Sequence, residues 1–232
     1  MCLKVVRKDN MIESQKTVVL EATVKYYPKK NPTEDAPKAI LFASPNTREC
    51  LNVEQATKQL TGDEHARMAK IYADRANQLG LTAFSYNAIG DWSDGAENTI
   101  YSEVSNARSY EDVERLAAVC GMASQQKAVI PFFVEADGAD AVYKIRVPRG
   151  NGAGVRKSLD EVGLQYRTFV TCFDSIQVVI FDKGSILKDS VSKFASIYGT
   201  QPEEYRGRGD FLGGNTRVEG KAAYQKVLKR IN

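Results

Sequence analysis

The sequence predicts an α+β fold: an antiparallel sheet with helices on one face and a ferredoxin-like β-α-β-β-α-β core, carrying an additional strand and terminal helices. Three observations predict it. Strand-like pairs alternate with helix-like segments from Leu81 to Asp182. The turn-forming dipeptides Asp137-Gly138 and Asp174-Ser175 sit between apolar runs, as hairpins require. Gly80, Gly121, Gly163 and Gly199 each follow a segment of helical periodicity, where a left-handed cap is favoured.

Taken in order, residues 1–60 are the least regular part. Thr17 to Tyr27 is rich in β-branched and aromatic residues and reads as a strand. The turn-prone PKKNPTEDAP separates it from a second strand at Lys38 to Ala43, which suggests a β-hairpin with a long connection. Met11 is an alternative natural start to Met1, with residues 1–10 then a poorly ordered extension.

Thr61 and Glu64 have capping-box spacing and open a helix from about Gly62 to Leu79. Leu81 to Ala88 and Thr99 to Val104 form a strand pair around a longer loop. A second helix follows Ser109, with Glu111 and Asp112 in its first turn and Val113, Leu116, Ala117 and Cys120 on one side. Gly121 is expected to end it. Lys127 to Glu135 and Ala141 to Val147 flank the Asp137-Gly138 turn. A third helix covers Gly154 to Val162, a tighter hairpin joins Tyr166 to Phe173 with Ile176 to Asp182, and a fourth helix covers Ile186 to Tyr198. Taking 99–104 as the first strand yields β-α-β-β-α-β. That frame competes with the pairing of 81–88 and 99–104, because a ferredoxin-like first strand already has neighbours on both sides. The expected organisation is an irregular N-terminal hairpin region at 1–60, an α+β core at 61–204, and a basic Gly/Arg loop with a C-terminal helix at 205–232, packed on the core.

A chain of 232 residues, 43% hydrophobic and 26% charged, can bury a core without covalent staples. Cys2, Cys50, Cys120 and Cys172 share no metal or redox spacing, which fits reduced thiols in the cytoplasm, Cys120 and Cys172 as core residues. Charges at Lys4, Arg7, Lys8 and Asp9 argue against an export signal, and no segment is long and apolar enough to span a bilayer. His65 is the sole histidine, in the first turn of a helix, so histidine chemistry and a zinc site are not expected.

The net charge is +3, but seven basic residues stand against two acids between Tyr205 and Asn232. A positive field on a mildly acidic body attracts polyanions. Within Tyr205 to Arg217, four glycines permit close approach, Arg206, Arg208 and Arg217 offer bidentate phosphate contacts, and Tyr205 and Phe211 offer stacking faces. Lys221 extends the set. The expected function is therefore that of an accessory protein engaging nucleic acid, a nucleic-acid-handling complex or an acidic protein surface.

An enzyme is the alternative. Asp91, Asp94 and Glu97 recur at intervals of three on a glycine-flanked loop beside Trp92, and hard oxygen ligands suit Mg²⁺ for phosphoryl transfer or phosphodiester hydrolysis. No cofactor is expected otherwise; Mg²⁺ belongs to this alternative alone. A protein-interaction module is the third reading. The strand 141–147 adds a further feature: Tyr143, Ile145 and Val147 face one way, Lys144 and Arg146 the other, and the latter resembles the wet side of a sheet. Arg167 and Phe169 share a face in the same manner, and Arg149 to Gly154 is a flexible loop beside a helix N-terminus.

Overall fold

A computed structural model describes residues 39–44, 62–92, 95–126, 128–148, 152–164, 167–171, 175–184, 186–213 and 217–232. The strand expected at 17–27, the cap residue Thr61, Cys172 and the loop at 149–151 lie outside them. The described chain runs β1 (Ala39–Ser44), α1 (Gly62–Gln78), β2 (Thr82–Trp92), β3 (Gly95–Ser105), α2 (Tyr110–Ala123), β4 (Ala128–Val134), β5 (Asp140–Pro148), α3 (Gly152–Glu161), β6 (Arg167–Thr171), β7 (Ser175–Asp182), α4 (Lys188–Ile197), β8 (Glu203–Gly209), β9 (Leu212–Gly213) and α5 (Arg217–Ile231).

Every strand pairing is antiparallel. The strand order is β1-β3-β2-β6-β7-β5-β8-β4-β9, and β1 also pairs with β4, so the sheet curls into a closed ring of eight strands. Closure leaves the ring no free edge. Two halves contribute equally. The stretch β1-α1-β2-β3-α2-β4 pairs in the order β4-β1-β3-β2, and β5-α3-β6-β7-α4-β8 pairs in the order β8-β5-β7-β6. The β2–β6 and β4–β8 pairings join them.

The frame expected from the sequence, starting at 99–104, is not the one observed. β2 and β3 form one long hairpin whose ladder runs from Thr82↔Ser105 to Trp92↔Gly95, so the supposed loop at 90–98 is mostly strand. β4 and β5, expected to be a hairpin, do not pair. The turn between them does form, with the Gly138 amide donating to the Glu135 carbonyl at 3.2 Å. β8 nevertheless slides into the gap: Gly207 lies across from Val134 of β4 and Asp140 of β5. Glycine is demanded here for space. A methyl on Gly207 would overlap the Phe133 carbonyl oxygen, and one on Gly138 would overlap the Gly207 backbone.

β8 and β9 are one strand in a single register on β4, since Gly209↔Phe132 and Leu212↔Val129 are each three residues on. The interruption at Asp210 and Phe211 falls opposite Pro131, which has no amide hydrogen to give. The Asp210 amide still donates to the Pro131 carbonyl at 3.1 Å. The described part of the expected loop, 205–213, is thus largely strand.

Period-2 alternation sorts the side chains into two layers. The outer surface of β3, β4 and β9 (Ile100, Val104, Val129, Leu212) packs under α1, α2 and α5 through Tyr72, Val113, Leu116, Cys120 and Tyr224. On β5 and β7, Tyr143, Ile145, Val147, Val178 and Ile180 pack under α3 and α4 through Val155, Leu159, Val191 and Phe194. Helices therefore occupy one face of the sheet, its outside. The inside is filled by Ala88, Tyr101, Phe132, Val142 and Val179, with Tyr86, Ile130, Val134, Phe181 and Tyr205 against them. An eight-stranded ring has an interior that side chains of this size can fill.

Three expected helix stops hold: Gly80, Gly163 and Gly199 have φ of 73°, 73° and 64°. Gly121 does not end its helix, which continues to Ala123. It sits under the buried Tyr224 ring, where a Cβ would lie 2.5 Å from Cζ. Alanine in a helix interior usually gains about 0.5–1 kcal/mol over glycine, whereas overpacking costs about 1–3 kcal/mol. Gly121→Ala is accordingly expected to lower the stability measured by urea unfolding, and to do so far less in a Tyr224→Leu background. A stabilised single variant would refute this packing.

Candidate functional site

Among the described side chains, those singled out in the sequence between Tyr205 and Phe211 do not converge. Alternation in β8 sends Tyr205 into the ring, and Arg206 and Arg208 to the outside. Arg206 pairs with Glu204, which also accepts Lys188 at 3.2 Å. The Arg208 guanidinium lies 4.3 Å from the centre of the Tyr110 ring. Burial first, then the charges of Glu114 and Asp210, push the Tyr110 phenol well above its ordinary range, so it stays neutral beneath that cation. Asp210 pairs with Lys183 at 3.3 Å, and Phe211 is 43% exposed beside it. Arg217 begins α5, and its side chain lies outside the described residues.

Arg206 and Arg208 are thus engaged, whereas the cations of α5 are not uniformly so. Arg230 pairs with the buried Glu114, while the lysines of the helix keep an open cationic face along its length. Lys221, Gln225 and Lys229 follow at every fourth residue and stack along one side, with Ala222 and Lys226 as the adjoining row, all exposed. Gly220, Tyr224 and Val227 are buried on the other side. None of the three lysines forms an ion pair among the described residues. Lys226 and Lys229 were visible in the charge count of the tail. What singles them out is the helix face, which needs the buried positions to be known.

The strand 140–148 corrects a second expectation. Lys144 is not on a wet sheet face but inside the ring, 9% exposed, with its ammonium 2.8 Å from Glu103 Oε1. β3 and β5 are four strands apart whichever way round the ring is followed, so this ion pair spans the interior. The Tyr101 hydroxyl donates to the same Oε1 at 2.9 Å, and the Tyr205 ring centre lies 5.7 Å from Lys144 Nζ. Glu203, at the open rim, is 3.9 Å from that ammonium and accepts from the Tyr205 hydroxyl at 3.0 Å. Burial, then the charges of Glu203 and the hydrogen bond to it, push the Tyr205 phenol up. The ring is polarised as a result. One end is closed by Phe132 and Phe181, whose rings meet edge on at 6.2 Å, and the other carries the charges.

Two further carboxylates that resemble a site are structural. Asp140 accepts from the Gly209 amide at 2.9 Å and the Gly184 amide at 3.2 Å. Asp182 accepts from the Ile186 and Leu187 amides, each at 3.1 Å, and so supplies the cap that Leu187 cannot give α4.

Of the acidic trio, Asp91 lies across from Ala96 and Glu97 across from Gly90, which are neighbouring positions of opposite parity in the hairpin ladder. Asp94 is outside the described residues. Among the described residues no group of three His, Cys, Asp or Glu side chains could hold a metal ion. Cys120 is buried, and burial pushes its thiol far up, so it is no nucleophile. No described helix is long and apolar enough to cross a membrane.

A cleft of about 270 Å³ opens between the end of α2 and α5, lined by Gly121, Met122, Gln125, Gln126, Lys221 and Tyr224. It adjoins the lysine face through Lys221. Comparison with protein-family models, curated protein sequences and solved structures returns no match for this chain.

Proposed function

We propose that the protein is a cytoplasmic accessory factor that binds nucleic acid through the outer face of α5. The observation that carries this reading is the helix face bearing Lys221, Lys226 and Lys229, all exposed and without an ion-pair partner among the described residues. Three such cations on about two turns of helix match the spacing of successive phosphates better than an isolated surface charge would. Arg206, Arg208 and Tyr205 take a different part from the one their sequence suggested. Their contacts fit them to holding β8 in place, with Arg208 and Lys183 at most flanking the bound strand.

We also read each half of the chain as a ferredoxin-like unit, because the orders β4-β1-β3-β2 and β8-β5-β7-β6 are the same arrangement. On that reading α5 is an addition to both units. Its outer face is then free for a partner, which supports the proposal.

The test is fluorescence anisotropy of labelled single- and double-stranded DNA and RNA at two salt concentrations. Expected is an association constant whose logarithm falls with log salt with a slope of about −2, the value for roughly three phosphate contacts on a single strand. Lys226→Glu/Lys229→Glu should weaken binding at low salt at least about tenfold. Salt-independent binding, or none, defeats the reading. In that case a protein with an acidic surface becomes the partner to seek. The phosphodiester-hydrolysing form of the Mg²⁺ alternative, with Asp91, Asp94 and Glu97 as ligands, requires that the probes be cut when Mg²⁺ is present, and intact probes count against that form.

A further inference from the structure

We propose that the cleft between α2 and α5 takes up one unpaired base of a single-stranded nucleic acid, an inference that rests on the phosphate-binding reading of α5. The cleft has the three kinds of wall that a nucleotide needs. Met122 and the Tyr224 ring, with Gly121 contributing no side chain, supply an apolar floor. Gln125 and Gln126 supply amides, which can match the donor and acceptor pattern on a base edge. Lys221 stands at the rim and belongs to the lysine face, so a phosphate there would lead the strand along α5.

Gln126 gives the cleft its directional preference. The residue is 3% exposed, and its Nε2 donates to the Ser124 carbonyl at 3.1 Å. Its Oε1 is buried with no hydrogen-bond partner among the described residues. A buried amide oxygen in this state calls for a donor, and the imino or amino group of a base is one. The position is also fixed beforehand. The Gln126 amide donates to the Gly121 carbonyl at 2.8 Å, the Tyr224 hydroxyl donates to the Gln126 carbonyl at 3.2 Å, and Gln125 sits in the left-handed region at φ 55°. A base in a duplex has this edge occupied by its complement, so the cleft selects single strands.

The experiment compares a labelled single-stranded oligonucleotide with the same oligonucleotide made abasic, its phosphates intact, on wild type, Gln126→Met and Met122→Trp. Gln126→Met removes the acceptor at similar volume. Met122→Trp fills the cleft from its floor and covers the case in which the Gln126 substitution unfolds the protein, which a thermal melt will show. The proposal expects the abasic strand to bind wild type about tenfold more weakly, and that difference to vanish in both variants while salt-sensitive binding persists. Equal binding of the two strands by wild type, with normal salt dependence, overturns the cleft and leaves the phosphate reading standing. Undetectable binding of both strands by wild type overturns the two together. A base-dependent difference that survives in both variants also overturns it, because the base is then held elsewhere.

Discussion

Lys144→Met is expected to destabilise the protein by about 3–5 kcal/mol, the usual result of removing one partner from a buried ion pair. Lys144 and Glu103 have 10% and 11% of their side chains exposed, and they meet at 2.8 Å across the ring interior. Glu203, 3.9 Å from the ammonium and 63% exposed, is too far and too wet to replace Glu103. Without the lysine, the Glu103 carboxylate keeps the Tyr101 hydroxyl as a donor and loses its counter-charge. The companion variant Lys144→Met/Glu103→Gln restores neutrality and retains an acceptor for Tyr101. It should recover well over half of the loss, since a neutral replacement of a buried pair is often nearly neutral in stability. Urea unfolding with linear extrapolation measures both. A single variant within about 1 kcal/mol of wild type would mean that the pair is effectively solvated.

Gly207→Ala should be at least as damaging, costing roughly 3 kcal/mol or more, or yielding no folded protein. The added methyl would overlap the Phe133 carbonyl oxygen and lie 2.7 Å from the Phe132 ring. Phe133 belongs to β4, which is itself held by β1 on its far side, so β4 cannot retreat without opening the ring. Two other glycines provide the contrast. Gly209→Ala would place its methyl 2.5 Å from the Phe181 ring, a side chain, so trimming Phe181 to Leu should relieve it. Gly184→Ala meets nothing within 4 Å, and its cost is confined to the positive φ of 87°, about 1–2 kcal/mol. Thermal melts of the three variants should rank them with Gly207→Ala lowest. A Gly207→Ala protein as stable as Gly184→Ala would show that β8 does not lie between β4 and β5.

What was legible in the sequence were the elements with a repeating signal. β5 shows two-residue alternation and β7 a short apolar run bounded by turn residues, and α2 carries its own start, with the Ser109 hydroxyl accepting from the Asp112 amide at 3.4 Å. β8 carries no such signal. Its sequence EEYRGRG has poor strand propensity, and its strand state comes from neighbours distant in sequence, Asp140 to Lys144 on one side and Phe132 to Val134 on the other. Missing β8 in turn misframed the topology, since the Asp137-Gly138 turn implies a β4–β5 ladder unless a strand is known to intervene. The arginines between Tyr205 and Arg217 suggested one polyanion loop because composition cannot reveal parity. In a strand, Tyr205 and Arg206 necessarily part company. Lys144 was assigned the correct side of its strand, but that side faces the ring interior, which no local pattern reports.

The late insertion of β8 also has a consequence for biosynthesis. β4 and β5 leave the ribosome well before the strand that must lie between them, and β2 waits in the same way for β6. Until those later segments arrive, the nascent chain presents unpaired strand edges bearing Phe132, Phe133 and Val134, the type of surface that associates with other chains. Yield should therefore depend on translation rate and temperature more than on the stability of the finished ring, and slow, cool expression should favour the folded product over aggregates.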